Sequence, residues 1–211
     1  MISRATLTTL AAAGLVMLLP VAASATNCPL DSFGARKVGT CRDASCLFFT
    51  PPPEIAAIKR GVYSQFVGIF INDGLAEWIG VDLDAGEIVR VERYAGPRLG
   101  DAPQVAQASP QLSRRETNVN GKRRIDIIGR APLPRETAED MVCAANAVWI
   151  DEAHPPGGSS SDVDEGVVLV DGATLRAEGG PSGMTKAVKA LYDRLGALRE
   201  RLPRVEVPVP R

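Results

Sequence analysis

The sequence predicts an α+β fold in which an antiparallel sheet built from hairpins, a three-stranded meander plus further strands, is covered by two amphipathic helices. Three observations carry that reading. Residues 62–94 hold three strand-like runs punctuated by Asn72-Asp73-Gly74 and Asp84-Ala85-Gly86, both hairpin signals. Two further turn dipeptides, Asn120-Gly121 and Asp171-Gly172, stand between strand-like runs, the first of them entered by the polar arm 113–119. Two stretches, 134–150 and 184–202, repeat apolar residues at helical spacing.

In chain order, residues 1–25 have the layout of a cleaved secretory signal. Arg4 lies in a short leading region, Leu10 to Leu19 form an apolar centre, and Ala23-Ser24-Ala25 supplies the small-residue cleavage pattern. The apolar run is shorter than the ~20 residues a membrane span needs, and Pro20 interrupts it. No later stretch is long and apolar enough to cross a membrane. The mature chain is therefore expected to lack a transmembrane segment and to be periplasmic or secreted, with residues 26–202 as a single disulfide-stapled domain and 203–211 as an extended or disordered tail.

Cys28, Cys41, Cys46 and Cys143 form an even set in an exported chain, which predicts two disulfides. No C-x-x-C occurs, so neither a thioredoxin-like redox site nor a zinc ribbon is indicated. Three pairings are open. The apolar plug Leu47-Phe48-Phe49 beside Cys46 favours Cys46 with Cys143 and Cys28 with Cys41.

Thr50-Pro51-Pro52-Pro53 forces an extended turn, after which Glu54 to Arg60 allows a helical turn or two before Gly61. In the meander, Ile79, Val81 and Leu83 alternate with Trp78, Asp82 and Asp84. The next run is expected to turn Val89 and Val91 inward with Val81 and to leave Arg90 and Glu92 outward. Ala95 to Pro110 has no period and reads as a loop. Around Asn120-Gly121 a hairpin joins 113–119 to 123–130. Pro134 opens a helix whose stripe is Ala138, Met141, Val142, Ala145, Val148 and Trp149. Its back carries Cys143, Ala144, Ala147 and Ile150, too apolar for water, so a disulfide from Cys143 should draw the N-terminal segment over it. Asp151 to Asp162 is a polar loop. Val167 to Val170 is continuously apolar and predicts an interior strand. Ser182 is the expected cap of the last helix, which Met184, Ala187, Val188, Leu191, Leu195, Leu198 and Leu202 pack onto the core.

A formal charge of −1 gives no overall pull toward nucleic acid or anionic membranes. His154 is the sole histidine and sits in a loop before two prolines, which argues against a Ser-His-Asp or Cys-His centre. No phosphate loop, nucleophile elbow or dinucleotide fingerprint occurs. Neither a metal nor another cofactor is called for, and Asp82-x-Asp84-x-Gly86 reads as a turn rather than a calcium loop. Between positions 114 and 135, Arg114, Arg115, Lys122, Arg123, Arg124, Arg130 and Arg135 face only Glu116 and Asp126. On a hairpin these residues would form a basic ribbon, a solvated arm or a contact for an anionic envelope component or another exported protein. Nucleic acid is disfavoured by export and by the absence of interleaved aromatics. Arg114, Arg115, Arg123 and Arg124 are thus candidate binding residues. Trp78 and Tyr94 join them as a recognition patch unless a second layer buries them. The functional expectation is an exported non-catalytic binding or interaction protein, and the alternative is an envelope hydrolase using paired carboxylates; pairs such as Glu77 and Glu87 receive no catalytic role without a cleft to place them in.

Overall fold

Each turn dipeptide within the described chain becomes a corner of one antiparallel sheet. The computed structural model describes residues 28–37, 50–68, 75–105, 108–151, 163–179 and 184–203. The signal-like segment, Cys41, Cys46, the Leu47 to Phe49 plug, Asn72-Asp73-Gly74, His154, Ser182 and the tail beyond Pro203 lie outside them. Seven strands, β1 (Arg60–Gly68), β2 (Leu75–Asp82), β3 (Glu87–Ala95), β4 (Leu112–Val119), β5 (Lys122–Pro132), β6 (Val163–Asp171) and β7 (Thr174–Gly179), pair in the order β4-β5-β3-β2-β1-β6-β7. Among the described residues three α-helices accompany them: α1 (Pro53–Ala56), α2 (Arg135–Trp149) and α3 (Lys186–Ala197).

The corners follow from local chemistry. Asp82 Oδ1 accepts from the backbone N–H groups of Asp84 and Ala85, both at 2.9 Å, so the Asp82 to Gly86 run is a side-chain-capped turn. Asn120 and Gly121 both have positive φ, 54° and 75°, as a two-residue type I′ connection demands. Because β5 neighbours β3 while β6 neighbours β1, the chain between them must cross the meander, and α2 makes that crossing.

α2 and α3 lie on one face of the sheet. There Val62, Ile79, Val81, Ile88, Val167 and Leu169 meet Met141, Val142, Ala145, Val148 and Trp149 from α2 and Val188, Leu191 and Leu195 from α3. The expected α2 stripe is the buried set of that helix, residue for residue. Val81, Val89, Met141, Val142, Val167, Leu191 and Leu195, all expected in the core, are buried, and so is Ile127. α3 begins later than the Ser182 reading implies: Thr185 Oγ1 accepts from Val188 N at 3.3 Å and caps it.

The opposite face is also packed. Ile55 and Ile58 cover Tyr63, Ala76, Trp78, Val89, Val91, Ile128, Val168 and Val170. Val89 and Val91 therefore turn away from Val81, contrary to the expected facing. The register decides it, since Val81 pairs with Ile88 and Trp78 with Val91. Reading Arg90 and Glu92 as solvent-facing reversed the strand, because those charges point to the helix-bearing face and are paired there. The Ala95 to Pro110 segment also departs from a plain loop. Gly96–Asp101 forms a 3-10 turn, and Leu99, Ala102 and Val105 close over Ile125 and Ile127.

The N-terminal segment is stapled to the back of α2 through Cys28 and Cys143, 115 positions apart with Cα atoms 5.1 Å from each other. This corrects the favoured Cys46 to Cys143 pairing. The draping over α2 stands, with other residues performing it. Phe33 packs edge-on against Trp149 with ring centroids 6.0 Å apart. Asn146 accepts from Gly34 N at 2.9 Å and donates to Ser32 O at 3.0 Å, tying the segment's backbone to the helix. Ile150, at the far end of that helix face, remains 49% exposed.

Candidate functional site

On the helix-bearing face, cross-strand pairing aligns Glu165, Phe66, Glu77, Glu92, Ile127 and Arg114 in one row over β6, β1, β2, β3, β5 and β4. The helices cover one part of this face and the 96–105 segment covers another. Between them the row is open. A cleft of about 400 Å³ is lined by Arg90, Glu92, Tyr94, Ile127, Gly129 and Arg199, among others. A neighbouring cleft of about 450 Å³ is lined by Phe66, Leu75, Glu77, Arg90, Glu92, Tyr94 and Arg199. Four residues, Arg90, Glu92, Tyr94 and Arg199, border both.

Glu77 and Glu92 stand directly opposite each other on adjacent strands. Two carboxylates so placed repel, and the sheet tolerates them because guanidinium groups lie between and beside them. Arg90 Nε donates to Glu77 Oε1 at 2.7 Å, and another nitrogen of the same guanidinium contacts Glu92. Tyr94 Oη donates to Glu92 Oε2 at 2.7 Å. Arg199, from the 3-10 turn Leu198–Arg201 that follows α3, donates from Nε to Glu77 Oε1 at 3.1 Å and from a second nitrogen to Oε2. Burial raises the Tyr94 phenol above its ordinary pKa, with the Arg90 charge opposing, so this hydroxyl stays a donor near neutrality. The hydrogen bond to Glu77, working against partial burial, raises the Arg199 guanidinium.

The floor is shaped by a missing side chain. Gly129 lies between Arg90 and Leu112 in the register, and a β-carbon there would only touch Leu202 and Pro203, at 3.9 Å each. A methyl group fits; anything longer enters the cleft.

The sequence-derived candidates separate. Trp78 is buried on the opposite face, 2% exposed, with the Arg93 guanidinium 5.2 Å above its ring. Tyr94 lines the groove, so these two aromatics lie on different sides of the sheet. The basic hairpin residues divide as well, because alternation on paired strands sends Arg114 and Arg123 to one face and Arg115 and Arg124 to the other. Arg115 lies between Glu54 and Asp126, Arg123 pairs with Glu116, Arg130 with Glu87, and Arg135 with Glu139. Glu87 is thus engaged by Arg130 and lies apart from Glu77, whose carboxylate neighbour is Glu92.

Sequence reasoning missed Glu92 and Arg199. Glu92 was within reach: counting five residues outward from the Asp82 and Glu87 pair that flanks the Asp84-Ala85-Gly86 turn places Glu92 opposite Glu77. Arg199 carried no such signal, since its contact spans 122 positions. No protein-family model, curated protein or solved structure matches this chain.

Proposed function

We propose that the protein is an exported, non-catalytic binding protein whose ligand lies in the groove over Glu77, Glu92 and Ile127. The observation that carries this reading is the cross-strand row itself, in which a rigid sheet holds charged and apolar side chains at an open concave surface with arginine and tyrosine already oriented around the carboxylates. The signal-like first 25 residues and the cysteine usage support export. Filling the floor with Gly129→Leu, while retaining the wild-type melting temperature, is expected to abolish capture of whatever the unaltered protein retains from envelope extracts. Equal capture by both proteins would refute the groove as the ligand site. Intact-mass analysis of the exported protein tests the leader, since loss of residues 1–25 is expected and their retention would refute cleavage.

One observation favours a second reading, an envelope hydrolase. Opposed residues on neighbouring strands have β-carbons about 4.5 to 5.5 Å apart, close to the carboxyl spacing of about 5 to 5.5 Å used by retaining glycosidases. The surroundings favour binding instead. Two guanidinium groups are bonded to Glu77 and one of them also contacts Glu92, so both carboxylates are engaged in ion pairs and neither stands free over the groove as an acid or a nucleophile. Turnover of a polysaccharide substrate that is lost in Glu92→Gln would establish the hydrolase.

A further inference from the structure

Arg199 borders both clefts and reaches Glu77 from an element outside the sheet, so among the four residues at their common edge it alone does not belong to a strand. Its side chain is 49% exposed, whereas that of Glu77 is 11% exposed. The arginine is therefore the accessible member of the pair, its side chain reaching out from a turn that Leu198 and Leu202 anchor, and the carboxylate is the enclosed one. Withdrawing Arg199 would leave Glu77 and Glu92 against Arg90 alone, an excess of one negative charge at the junction of the clefts. The two ends are apolar: Phe66 and Leu75 at one, Leu112, Ile127 and Pro103 at the other.

We infer that Arg199 is an internal stand-in for a basic side chain of the ligand, and that the groove takes an extended polypeptide segment carrying an arginine or lysine between two apolar residues. This rests on the groove being the ligand site. The spacing follows from the sheet. Phe66 and Ile127 are three strands apart, about 14 Å at the usual strand separation, and an extended chain covers that distance in about four residues. In such a chain, residues two and four positions along point the same way. A basic residue midway then projects onto the carboxylate pair, where it takes the place of the Arg199 guanidinium on Glu77 while Arg90 stays between Glu77 and Glu92.

The test uses a capped, fluorescently labelled five-residue peptide with leucine at both ends, arginine at the centre and alanine between, beside the same peptide with uncharged citrulline at the centre. Polarisation is measured on the full exported chain and on the Arg199→Ala, Glu77→Gln and Gly129→Leu variants, with circular dichroism melts confirming folding. The arginine peptide is expected to bind about tenfold more tightly than the citrulline peptide, as one charge-assisted contact would give. Arg199→Ala should tighten it further by removing the competitor, Glu77→Gln should erase the preference for arginine, and Gly129→Leu should remove binding. Equal binding of the two peptides, blocked by Gly129→Leu, would overturn the recognition of a basic side chain and leave the groove reading standing. No binding even to folded Arg199→Ala would overturn the peptide inference and leave the groove reading standing, whereas binding that Gly129→Leu does not affect would overturn both.

Discussion

The two faces of the sheet each carry a cluster of carboxylates and arginines, and the clusters are built alike but enclosed differently. Beneath α1, Asp126 accepts from Arg93 Nε at 2.8 Å and Arg115 Nη2 at 2.7 Å, and Arg115 continues to Glu54 on α1 itself. Asp126 is 1% exposed, and Arg93 also covers the Trp78 ring. On the other face, the Glu77 and Glu92 cluster borders open clefts. Pairing alone therefore does not mark a ligand site. A closed cluster joins elements to one another, since the Asp126 network fastens α1 and β4 to β5. An open one retains edges that a ligand can reach, and its partner Arg199 has a half-exposed side chain on a turn that Leu198 and Leu202 anchor in the core, so the side chain alone can swing aside.

The largest expected effect comes from breaking the closed cluster. Asp126→Ala removes the common acceptor of two guanidinium groups and is expected to cost about 3 kcal/mol, the low end for a broken buried pair because the arginines are 19% and 30% exposed. Chemical denaturation would measure it. A loss below about 1 kcal/mol would show that the network is a surface feature and would erase the contrast between the faces.

The pH dependence sharpens the same point. Burial pushes the Asp126 carboxyl upward, but hydrogen bonds from Arg93 and Arg115 outweigh it and hold its pKa below the ordinary value. A folded pKa beneath the unfolded value of about 3.9 means that the contribution is complete above that value and is lost as pH falls through the folded pKa. The stability difference between wild type and Asp126→Asn is therefore expected to be constant from about pH 5 to 8 and to shrink below about pH 4. Melting curves over that range check it, and a difference that grew toward low pH would reverse the assignment.

Opening the exposed cluster should cost less. Glu77→Gln keeps the shape of the side chain and some hydrogen bonding to Arg90 and Arg199, so a loss of about 1 kcal/mol is expected. A loss as large as that of Asp126→Ala would make Glu77 a structural tie rather than a ligand group.

How legible these features were in the sequence depends on the range over which each is determined. Turns and helix stripes are local: Asn120-Gly121, Asp171-Gly172 and the six apolar residues of α2 announce themselves within a few positions. The facing of β3 is not local, because Ile88, Val89 and Val91 offer apolar residues to both faces and only pairing with β2 chooses between them. The same holds for Cys28, whose partner was settled by Phe33 and by the bonds from Asn146 to the neighbouring backbone, none of which a spacing rule contains. The basic stretch was visible as composition, but alternation on two paired strands divided it between faces. Half of the groove was countable from one turn; the other half, Arg199, depends on where the last helix ends.

The smallest effect is expected at the β4 to β5 hairpin tip, where Glu116 and Arg123 pair across the strands with side chains 45% and 55% exposed. The hydrogen bond to Arg123 lowers the Glu116 pKa, and that to Glu116 raises the Arg123 pKa, yet both groups stand in water that screens them. Their register is already set by Asn120 and Gly121, whose positive φ angles only the turn requires. Arg123→Ala should therefore leave the melting temperature unchanged at low and high salt alike, whereas Gly121→Ala, strained at φ 75°, should cost about 1 kcal/mol. If Arg123→Ala instead destabilised the protein in a salt-dependent way, exposure would no longer separate structural from dispensable ion pairs in this sheet. The contrast drawn between its two faces would then need another physical basis.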